Sequence, residues 1–439
     1  MDLPGGQTPK GAYPDSYYAA TASALEPFPA LAQGIDTDVC VIGAGYTGLS
    51  AALHLREQGR EVVLIEAQRV GWGASGRNGG QVGTGQRVDQ LTLEKMVGAD
   101  HARMLWDLAQ DSKAIVRHLV DKHSIACDLK PGIIYADHKK RYTSDTAAYV
   151  EHLNKVYGYK DIEFLDGRAL RDHLGTEAYY SGSLDWGAGH LHPLNFALGL
   201  AKAAAAAGAR IYEMTRATAI RHGQTVTVQT EGGEIRARQV LIACNGYLGD
   251  LVPELAARVM PINSYIIATE PLSEAEARDV IARDVAVADS RFVVNYFRLS
   301  ADRRMLFGGR ESYTNAASDP ADVAESGRKR MLSVYPQLAS KRVEYSWGGT
   351  IAITMNRMPL FRRVKPNVLA GLGYSGHGVA MATLGGALMA EALCGHPERF
   401  DAMAAVPIHR FPGGTRLRQP LLALALMYFA TRDRISILP

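Results

Sequence analysis

The alternation of apolar and polar residues predicts a strand, a helix and a second strand near the start of the chain. An apolar run over residues 37–42 leads into glycines spaced Gly-x-Gly-x-x-Gly over 43–48. Helical spacing follows over 49–58, and a second apolar run ends at Glu66. A strand, a glycine turn, a helix and a strand that ends in an acid are typical of a βαβ unit that cradles a dinucleotide.

Each glycine of this turn has a predicted task. Gly43 makes the tight turn, Gly45 lets the backbone approach a pyrophosphate, and Gly48 lets the helix pack on the sheet with its positive end towards the phosphates. Glu66 stands eighteen residues after Gly48, close to the spacing of a carboxylate that accepts ribose hydroxyls.

The rest of the pattern alternates helices with strands and then changes to strands alone. Short apolar runs between residues 260 and 345 alternate and are separated by turns, which is typical of an antiparallel sheet in a separate domain. The continuous apolar run 238–244 instead predicts a central parallel strand. The predicted helices are 91–123, 144–156 and 191–207, and the predicted strands are 132–136, 210–213, 224–230, 238–244, 264–269, 292–297 and 305–308.

Composition and charge exclude several classes of protein. The chain has 439 residues, of which 47% are hydrophobic and 21% charged, as in globular proteins of two or three domains. A net charge of +3 gives no broad cationic field for nucleic acid. The four cysteines are scattered without the spacing of a disulfide framework or a zinc site, so we expect no metal and a reducing compartment, the cytoplasm.

The two ends of the chain carry no clear targeting signal. Residues 1–33 lack a basic and then apolar pattern, so we expect an arm there. No apolar run reaches the ~20 residues that span a bilayer. The run 420–430 is followed by Arg432, Asp433 and Arg434. It predicts a packed C-terminal helix, with a membrane-surface anchor as the alternative.

A glycine-rich loop over residues 69–85 follows the second strand. Such a loop is either a flexible linker or a backbone that lies against a flat ligand, because glycine removes the Cβ that would hold the chain away. Trp72, Arg77, Asn78 and Gln81 are interleaved with the glycines. Rigid and hydrogen-bonding side chains of this kind favour the ligand.

A second Gly-x-Gly-x-x-Gly, at Gly371, Gly373 and Gly376, has a different context. The helix that follows it leads into residues 395–397 rather than into a strand that ends in an acid. We therefore interpret it as a loop and a helix N-terminus aimed at the reactive end of the cofactor. A reduced flavin carries negative charge, which backbone N–H groups and a helix dipole stabilise.

Three glycine clusters distant in sequence favour FAD over NAD. A nicotinamide enzyme needs one cradle and then a catalytic domain, whereas a tightly held FAD is enclosed along its length. The residues 38–53 with Glu66, then 73–80, then 371–378, resemble the D-amino-acid oxidase and sarcosine oxidase superfamily of FAD-dependent amine oxidoreductases. Within it the chain is most similar to the gamma-glutamylputrescine oxidoreductase group, including the tail over 411–414 and 417–422.

The resemblance implies a fold and a set of cofactor contacts. The fold class is α/β, with a discontinuous Rossmann-like FAD-binding domain and a substrate domain whose antiparallel sheet roofs the flavin. The first glycine turn would hold the pyrophosphate, Glu66 the ribose, Ala217 the adenine through its backbone, and the two later loops the flavin. The cofactor-binding residues are thus predicted to be Gly43, Gly45, Tyr46, Thr47, Gly48, Glu66, Ala67, Gly73, Ala74, Ser75, Gly76, Arg77, Asn78, Gly79, Gly80, Ala217, Asn245, Gly246, Gly373, Tyr374, Ser375, Gly376, His377 and Gly378.

The sequence departs from the family where some members attach their flavin. Sarcosine oxidases use a cysteine shortly before the last glycine loop, but residues 347–354 contain none. Residues 74–78 lack the histidine that other relatives use. We therefore expect noncovalent FAD. No lysine can be assigned to the place near flavin N5 that sarcosine oxidases fill.

The predicted domains are interleaved along the chain. Residues 1–35 form an N-terminal arm, and residues 399–439 form a C-terminal extension with an apolar helix. The FAD-binding domain comprises residues 36–90, 185–255 and 346–398. The substrate domain comprises residues 91–184 and 256–345.

Amine oxidation by flavin needs a neutral amine, its α C–H about 3 to 3.5 Å from N5, and exclusion of water. Aromatic walls exclude water and tolerate a cationic tail. The candidates are Tyr265, Tyr296, Phe297 and Trp347, each of which could instead be ordinary core.

His377 stands between two glycines at a helix start, where it is poorly suited to the core, so we predict contact with flavin or substrate. Arg298 and Arg310 could bind a substrate carboxylate or be solvated strand residues. His190 and His192 predict a structural turn rather than a metal pair.

The sequence therefore predicts oxidation of an amine, gamma-glutamylputrescine or a related polyamine conjugate. Hydride transfer from its α carbon to flavin N5 would give an aldehyde, ammonia and hydrogen peroxide. No second nucleotide cradle is visible, so electrons should leave to oxygen or a quinone-like acceptor. One alternative is an amino-acid dehydrogenase that feeds the respiratory chain through the C-terminal helix. Another is a flavoprotein that binds its nucleotide without turnover.

Overall fold

The computed structural model describes residues 10–312 and 319–415 and contains two sheets with helices packed on them. The predicted mixed α/β class is confirmed. The strands are β1 (Ile35–Ile42), β2 (Val62–Ile65), β3 (Gln81–Val82), β4 (Lys130–Asp137), β5 (Ile162–Leu165), β6 (Ser181–His190), β7 (Arg210–Tyr212), β8 (Ala217–Arg221), β9 (Val226–Thr230), β10 (Gly233–Ile242), β11 (Met260–Pro271), β12 (Ala286–Asp289), β13 (Tyr296–Leu299), β14 (Arg304–Ser312), β15 (Val343–Ile353), β16 (Leu360–Lys365) and β17 (Val368–Leu372). The α-helices are α1 (Tyr17–Ala20), α2 (Tyr46–Glu57), α3 (Gln90–Val97), α4 (Ala99–Lys122), α5 (Thr143–Val156), α6 (Gly167–His173), α7 (Pro193–Ala206), α8 (Pro253–Ala256), α9 (Glu274–Val280), α10 (Pro320–Leu332), α11 (Gly378–Leu393) and α12 (Glu398–Ala404).

The first sheet contains the predicted βαβ unit. Its strand order is β16-β17-β10-β1-β2-β7, and the five strands from β17 to β7 run parallel. β16 pairs antiparallel with β17, and the hairpin β8–β9 joins the start of β10. The parallel strands are almost continuously apolar because helices cover them. Their carboxyl ends meet at one edge of the sheet.

The helices α2 and α11 pack against each other at unusually close range. A Cβ added to Gly386 on α11 would lie 2.3 Å from the carbonyl oxygen of Thr47 on α2. Ser50 also donates a hydrogen bond of 2.6 Å to the carbonyl of Thr383. α2 begins at Tyr46, three residues before the predicted start, because the apolar spacing does not register the small and polar residues of its first turn.

The second sheet is the predicted antiparallel roof. Its order is β15-β11-β14-β13-β12-β4-β6-β3, with β5 paired to β6, and the one parallel pair along this path is β12 with β4. The strand β6 was not predicted from the apolar pattern, because its residues include three glycines and no long apolar run. β6 and β15 lie in this sheet over their whole lengths, although predicted domain boundaries fall inside them, at residues 185 and 346.

The predicted strand over residues 292–297 is wrong over residues 292–295. Only Tyr296 onwards is β13. The Asp289 carboxylate accepts hydrogen bonds from the backbone N–H groups of Arg291 and Asn295, at 3.2 and 2.9 Å. These local bonds form a turn where the apolar residues alone predicted an extended segment.

The N-terminal arm packs against the body of the protein from residue 10 onwards. Tyr17 and Tyr18 are buried, and Tyr17 donates a hydrogen bond of 2.8 Å to Asp302. Trp72 donates one of 2.9 Å to the carbonyl of Ala12. The apolar segment 420–430 lies outside the described residues. Within residues 10–312 and 319–415, no helix combines the length and the apolar character that crossing a membrane requires.

Candidate active site

A cavity of about 680 Å³ lies where the carboxyl ends of β1, β2 and β10 face the second sheet. The first glycine turn, the loop after β2 and the second glycine loop all reach it, although they are distant in sequence. The predicted site residues that line it are Gly43, Gly45, Tyr46, Thr47, Glu66, Ala67, Gly73, Ala74, Ser75, Arg77, Asn78, Gly79, Ala217, Asn245, Tyr296, Tyr374, Ser375, Gly376, His377 and Gly378.

Five of the predicted cofactor-binding glycines stand behind the cavity wall instead. They are Gly48, Gly76, Gly80, Gly246 and Gly373. A Cβ on Gly48 would lie 1.8 Å from the carbonyl oxygen of Gly43, and one on Gly80 would lie 2.0 Å from a neighbouring carbonyl. Their lack of a side chain therefore serves backbone packing, which holds in place the residues that do line the cavity.

The first glycine turn is shaped by sterics on both sides. Gly43 has φ +105°, and a Cβ there would lie 2.8 Å from the carbonyl oxygen of Ala243. A Cβ on Gly45 would lie 2.8 Å from the Ser75 hydroxyl, which accepts a hydrogen bond of 3.0 Å from the N–H of Tyr46. The absence of a side chain at Gly45 thus leaves room for the Ser75 hydroxyl and keeps the start of α2 open to the cavity.

Glu66 follows the last residue of β2 and reaches back under the turn. Its carboxylate accepts hydrogen bonds from the N–H groups of Ala44, at 2.9 Å, and Gln68, at 3.0 Å. Burial raises the pKa of Glu66 above its usual value, and the negative charge of nearby Glu213 adds to this rise. The hydrogen bonds from the two N–H groups lower the pKa and so oppose the rise. A carboxylate has about four acceptor positions, so Glu66 can still accept from hydroxyls of a ligand in the cavity.

The loop after β2 is held by its own side chains. The amide of Asn78 donates to the carbonyls of Ala74 and Ser75, at 3.0 and 3.1 Å, and accepts from the N–H of Gly80 at 2.7 Å. These bonds close the short 3₁₀ turn Ala74–Gly76. The loop is therefore an ordered wall of the cavity rather than a linker.

Arg77 lines the cavity and carries one buried N–H donor that has no hydrogen-bond partner among the described residues. Its side chain is 5% exposed and lies 4.0 Å from the ring centre of Trp72. Nε donates to the carbonyl of Trp72 at 2.7 Å, and Nη1 donates to that of Gly348 at 3.2 Å. Within the described part of the chain, Nη2 has no hydrogen-bond partner. Because a buried charged donor is costly when unpaired, an acceptor on a bound ligand that reached Nη2 would relieve this cost.

Arg298, which we considered as a ligand of a substrate carboxylate, has a different role. It is 3% exposed and does not line the cavity. Its guanidinium donates to the carbonyls of Gly79, at 2.9 Å, and Leu191, at 2.8 Å, and to the hydroxyl of Tyr18 at 3.3 Å. Arg298 thus ties the loop after β2 to β6 and to the N-terminal arm. The side chain of the other candidate, Arg310, lies outside the described part of the chain.

The second glycine loop joins β17 to α11. Gly373 has φ +74°, and its N–H donates to the side chain of Asn245 at 3.0 Å. The N–H of Ser375 donates to the carbonyl of Ala352 at 2.9 Å. α11 then begins at Gly378 and leads to α12 rather than to a strand, as the sequence predicted. The positive end of α11 therefore lies at the cavity.

His377 lines the cavity in its neutral form. Its Nε2 lies 3.0 Å from the carbonyl oxygen of Gly85, and since a carbonyl only accepts, Nε2 carries the proton and Nδ1 is an acceptor. Burial lowers the pKa of His377 to about 4, and the positive charge of Arg87 contributes to the same direction.

The roof contributes fewer aromatic residues than we predicted. Tyr296 lines the cavity, and its hydroxyl lies 3.2 Å from that of Ser264. Tyr265 and Trp347 do not line it: a Cβ on Gly348 would lie 2.6 Å from the Tyr265 ring, and Trp347 donates to the carbonyl of Arg77 at 3.1 Å. In a strand, neighbouring side chains point to opposite faces, and apolar character alone did not distinguish the two faces.

Phe297 lies in the core beneath the sheet, where it stacks on Phe307 with 5.3 Å between ring centres. His192 caps α7 by accepting from the N–H of Asn195 at 3.1 Å, and His190 lies 2.8 Å from the carbonyl of Asp284. These contacts agree with the structural turn that we predicted for the two histidines.

Several residues that line the cavity were not predicted from the sequence. Arg87 donates to the carbonyl of Ser375 at 3.0 Å, and Arg357 lies 5.2 Å from the ring centre of Phe292. Because Arg87 follows the glycine-rich loop closely in the sequence, it could have been predicted to lie at the site. The others come from separate strands and turns, and only the fold brings them together: Tyr135, Asp289, Phe292 and Arg357.

Comparison with known proteins identifies relatives over nearly the whole chain. The family model DAO, FAD dependent oxidoreductase, matches residues 38–392. The chain is 42% identical to gamma-glutamylputrescine oxidoreductase of Escherichia coli (strain K12) over 423 residues, which cover 96% of this chain and 99% of that protein. It is 44% identical to probable oxidoreductase OrdL of Rhizobium meliloti (strain 1021), covering 95% of this chain and 97% of that protein.

Among solved structures, glycine oxidase from Geobacillus kaustophilus superposes with a TM-score of 0.72 at 21% identity. The match covers 86% of this chain and all of the other. At that identity the likeness concerns the fold, with its cofactor and substrate domains.

The residues around the cavity fit FAD. The turn at Gly43 and the start of α2 leave backbone N–H groups for a pyrophosphate. Glu66 keeps acceptor capacity for hydroxyls, and the partnerless Nη2 of Arg77 suits an acceptor on the cofactor. The cavity also reaches residues 215–218 at one end and His377 at the other, so a long ligand can be enclosed.

Replacing Arg298 by methionine should weaken FAD binding tenfold or more and lower the melting temperature. The substitution keeps most of the length but leaves the buried carbonyls of Gly79 and Leu191 unpaired, at about 1–3 kcal/mol for each such group. FAD titration of the apoprotein and thermal unfolding measure the two effects. Arg168→Met, on the exposed face of α6, is the control, and equal FAD affinity in both variants would contradict the role of Arg298.

Replacing Arg77 by methionine should also raise the dissociation constant for FAD at least tenfold, because it removes a positive charge and an unpaired buried donor from a residue that lines the cavity. Arg77→Lys keeps the charge but not the planar fork, so its affinity should be intermediate. Equilibrium dialysis of both variants against FAD tests this. Unchanged affinity in Arg77→Met would show that Nη2 does not meet the cofactor.

Proposed function

The chain belongs to the DAO family of FAD dependent oxidoreductases, as its sequence motifs predicted, and we propose that its substrate is gamma-glutamylputrescine or a related polyamine conjugate. The 42% identity to the Escherichia coli gamma-glutamylputrescine oxidoreductase, over 99% of that protein, is the observation that carries this proposal. The overall reaction joins the amine, oxygen and water to give an aldehyde, ammonia and hydrogen peroxide. Its place would be in polyamine degradation.

The residues that would hold FAD follow from their positions around the cavity. The turn at Gly43 and Gly45 and the start of α2 suit the pyrophosphate, and Glu66 suits the ribose. Ala217 lies at the end that suits the adenine. The loop from Ser75 to Asn78 and the start of α11 suit the isoalloxazine. None of these contacts needs a covalent link, so we propose noncovalent FAD.

FAD supplies the hydride acceptor, flavin N5, when it is bound. The protein positions the substrate against the flavin and supplies the electrostatic field around it. The positive end of α11 lies at the cavity beside His377, where it favours negative charge. Tyr135, Tyr296 and Phe292 form an aromatic wall that excludes water and tolerates a cationic tail.

His377 is placed to receive the reacting amine. Its Nε2 proton is held by the Gly85 carbonyl, so Nδ1 can accept a hydrogen bond from the amine nitrogen. Because the ring is neutral above about pH 4, it does not repel an ammonium group on entry. We assign His377 to positioning the amine rather than to general base catalysis, since a group with so low a pKa holds a proton poorly at neutral pH.

The acceptor and the cellular location are further parts of the proposal. Oxygen is the simplest acceptor for a cavity with one nucleotide cradle, and a quinone-like acceptor is the alternative. The four cysteines are free thiols, which supports a reducing compartment such as the cytoplasm.

Anaerobic mixing of the holoenzyme with gamma-glutamylputrescine should bleach the flavin absorbance within a single turnover. Putrescine, spermidine, glycine, sarcosine and D-alanine should bleach it at least tenfold more slowly. Stopped-flow absorbance measures the rates. Faster bleaching by an amino acid would support an amino-acid dehydrogenase instead, and no bleaching by any amine would support a flavoprotein without turnover.

Replacing His377 by asparagine should slow this bleaching about tenfold, the value of one lost hydrogen bond, without moving the acid limb of the pH profile. The acid limb should stay in place because His377 titrates at about pH 4. His192→Asn is the control, since asparagine also caps a helix and His192 does not line the cavity. A shift of the acid limb in His377→Asn alone would contradict the neutral role of the ring.

A further inference from the structure

A lysine is buried behind the cavity wall. Lys113 lies on α4 and is 3% exposed. Its Nζ donates hydrogen bonds to the hydroxyl of Thr84, at 2.7 Å, and to that of Tyr159, at 3.0 Å. It does not line the cavity, so the proposed chemistry gives it no direct part.

The counter-charge of Lys113 is a buried carboxylate on β6. Asp185 is 1% exposed and accepts from the Tyr159 hydroxyl at 2.5 Å and from the N–H of Ala188 at 3.1 Å. Its Oδ2 has no hydrogen-bond partner within residues 10–312 and 319–415. The ammonium and the carboxylate thus form a buried pair bridged by one phenol. Loss of the positive charge would leave the negative one uncompensated in the interior, which is strongly unfavourable.

Thr84 connects this pair to the candidate active site. It stands between Gly83, which lines the cavity, and Gly85, whose carbonyl accepts from His377 Nε2 at 3.0 Å. A Cβ on Gly83 would lie 2.6 Å from the His377 ring. The segment 83–85 therefore sets the position of His377, and Lys113 holds the middle residue of that segment from behind.

We propose that Lys113 is a positioning residue of the active site, and that its ammonium form, but not its neutral amine, holds residues 83–85 and the His377 ring in place. Through them it fixes the wall against the flavin. The proposal relies on the proposed function only for the presence of FAD in the cavity and is independent of the substrate.

The charges around Lys113 set the pH at which this hold is lost. Burial lowers the pKa of Lys113 to about 8; Asp185 and Asp161 oppose the shift, and Arg117, one turn later on α4, adds to it. Because a lysine is charged below its pKa, the ammonium form predominates below about pH 8. Above that pH the neutral amine keeps only two N–H donors and the buried Asp185 carboxylate loses its counter-charge, which loosens the hold on residues 83–85.

Other titratable groups face the same region but do not change charge near pH 8. Tyr135 and Tyr159 have their pKa values raised well above 10 by burial, and His377 has its own lowered to about 4. Arg87 is permanently charged at these pH values.

A pH titration of the oxidised holoenzyme without substrate tests the proposal, with visible circular dichroism of the bound flavin as the readout. The unsubstituted enzyme should change its spectrum with a midpoint near pH 8. Lys113→Arg should keep the low-pH spectrum throughout, because arginine does not titrate there. Lys113→Met should show the high-pH spectrum throughout. A midpoint near pH 8 that persists in Lys113→Met, or no change in the unsubstituted enzyme, would overturn the proposal.

A second pair of variants avoids any loss of folding in Lys113→Met. Thr84→Val removes the acceptor of the ammonium and should abolish the transition, whereas Thr84→Ser keeps the hydroxyl and should retain it. A transition that survives in Thr84→Val would contradict the connection through Thr84. Since no amine is added, a wrong substrate assignment would appear only in the bleaching experiment and would leave this midpoint in place.

Discussion

The close approach of backbones around the cavity is the constraint on which the rest of the structure depends. A Cβ on Gly48 would lie 1.8 Å from the carbonyl of Gly43, and one on Gly386 would lie 2.3 Å from that of Thr47. No side chain can be accommodated at such distances, so α2 can pack on β1 and α11 on α2 only through glycine. Both helix N-termini then reach the same cavity.

Charge inside the protein is arranged around that backbone scaffold. Arg298 donates to backbone carbonyls and to the Tyr18 hydroxyl and orders the loop after β2, whereas Arg77 keeps one buried donor unpaired among the described residues. His377 is neutral, and Lys113 is paired with Asp185 through Tyr159. Arg298 and Lys113 therefore act as supports for the walls rather than as parts of the cavity lining.

The parts of the site that come from local sequence were predictable. Gly43, Glu66 and the loop 374–378 lie in short motifs whose spacing reflects one turn and the ends of adjacent strands. The roles of Tyr265, Trp347 and Arg298 were not predictable in this way. Each depends on which face of a strand is turned to the cavity, and a mixed apolar pattern in a sheet buried on both sides does not record that.

The long-range contacts could not be predicted from the sequence. Lys113, Thr84, Tyr159 and Asp185 come from four separate parts of the chain and are connected by hydrogen bonds, with Tyr159 between Lys113 and Asp185. No spacing in the sequence indicates these contacts. β6 was also not predicted, because its residues include three glycines and no long apolar run, yet that strand carries Asp185 and forms part of the roof.

The central claim is that the cavity grips one ligand along its whole length, with a nucleotide end near Glu66 and a flavin end near His377. Calorimetric titration of the apoprotein with FAD, FMN and ADP tests it most directly. Our account predicts that FAD binds at least a hundredfold more tightly than either fragment, because each fragment leaves one end of the cavity without its partner. Binding of FMN as tight as that of FAD would contradict it.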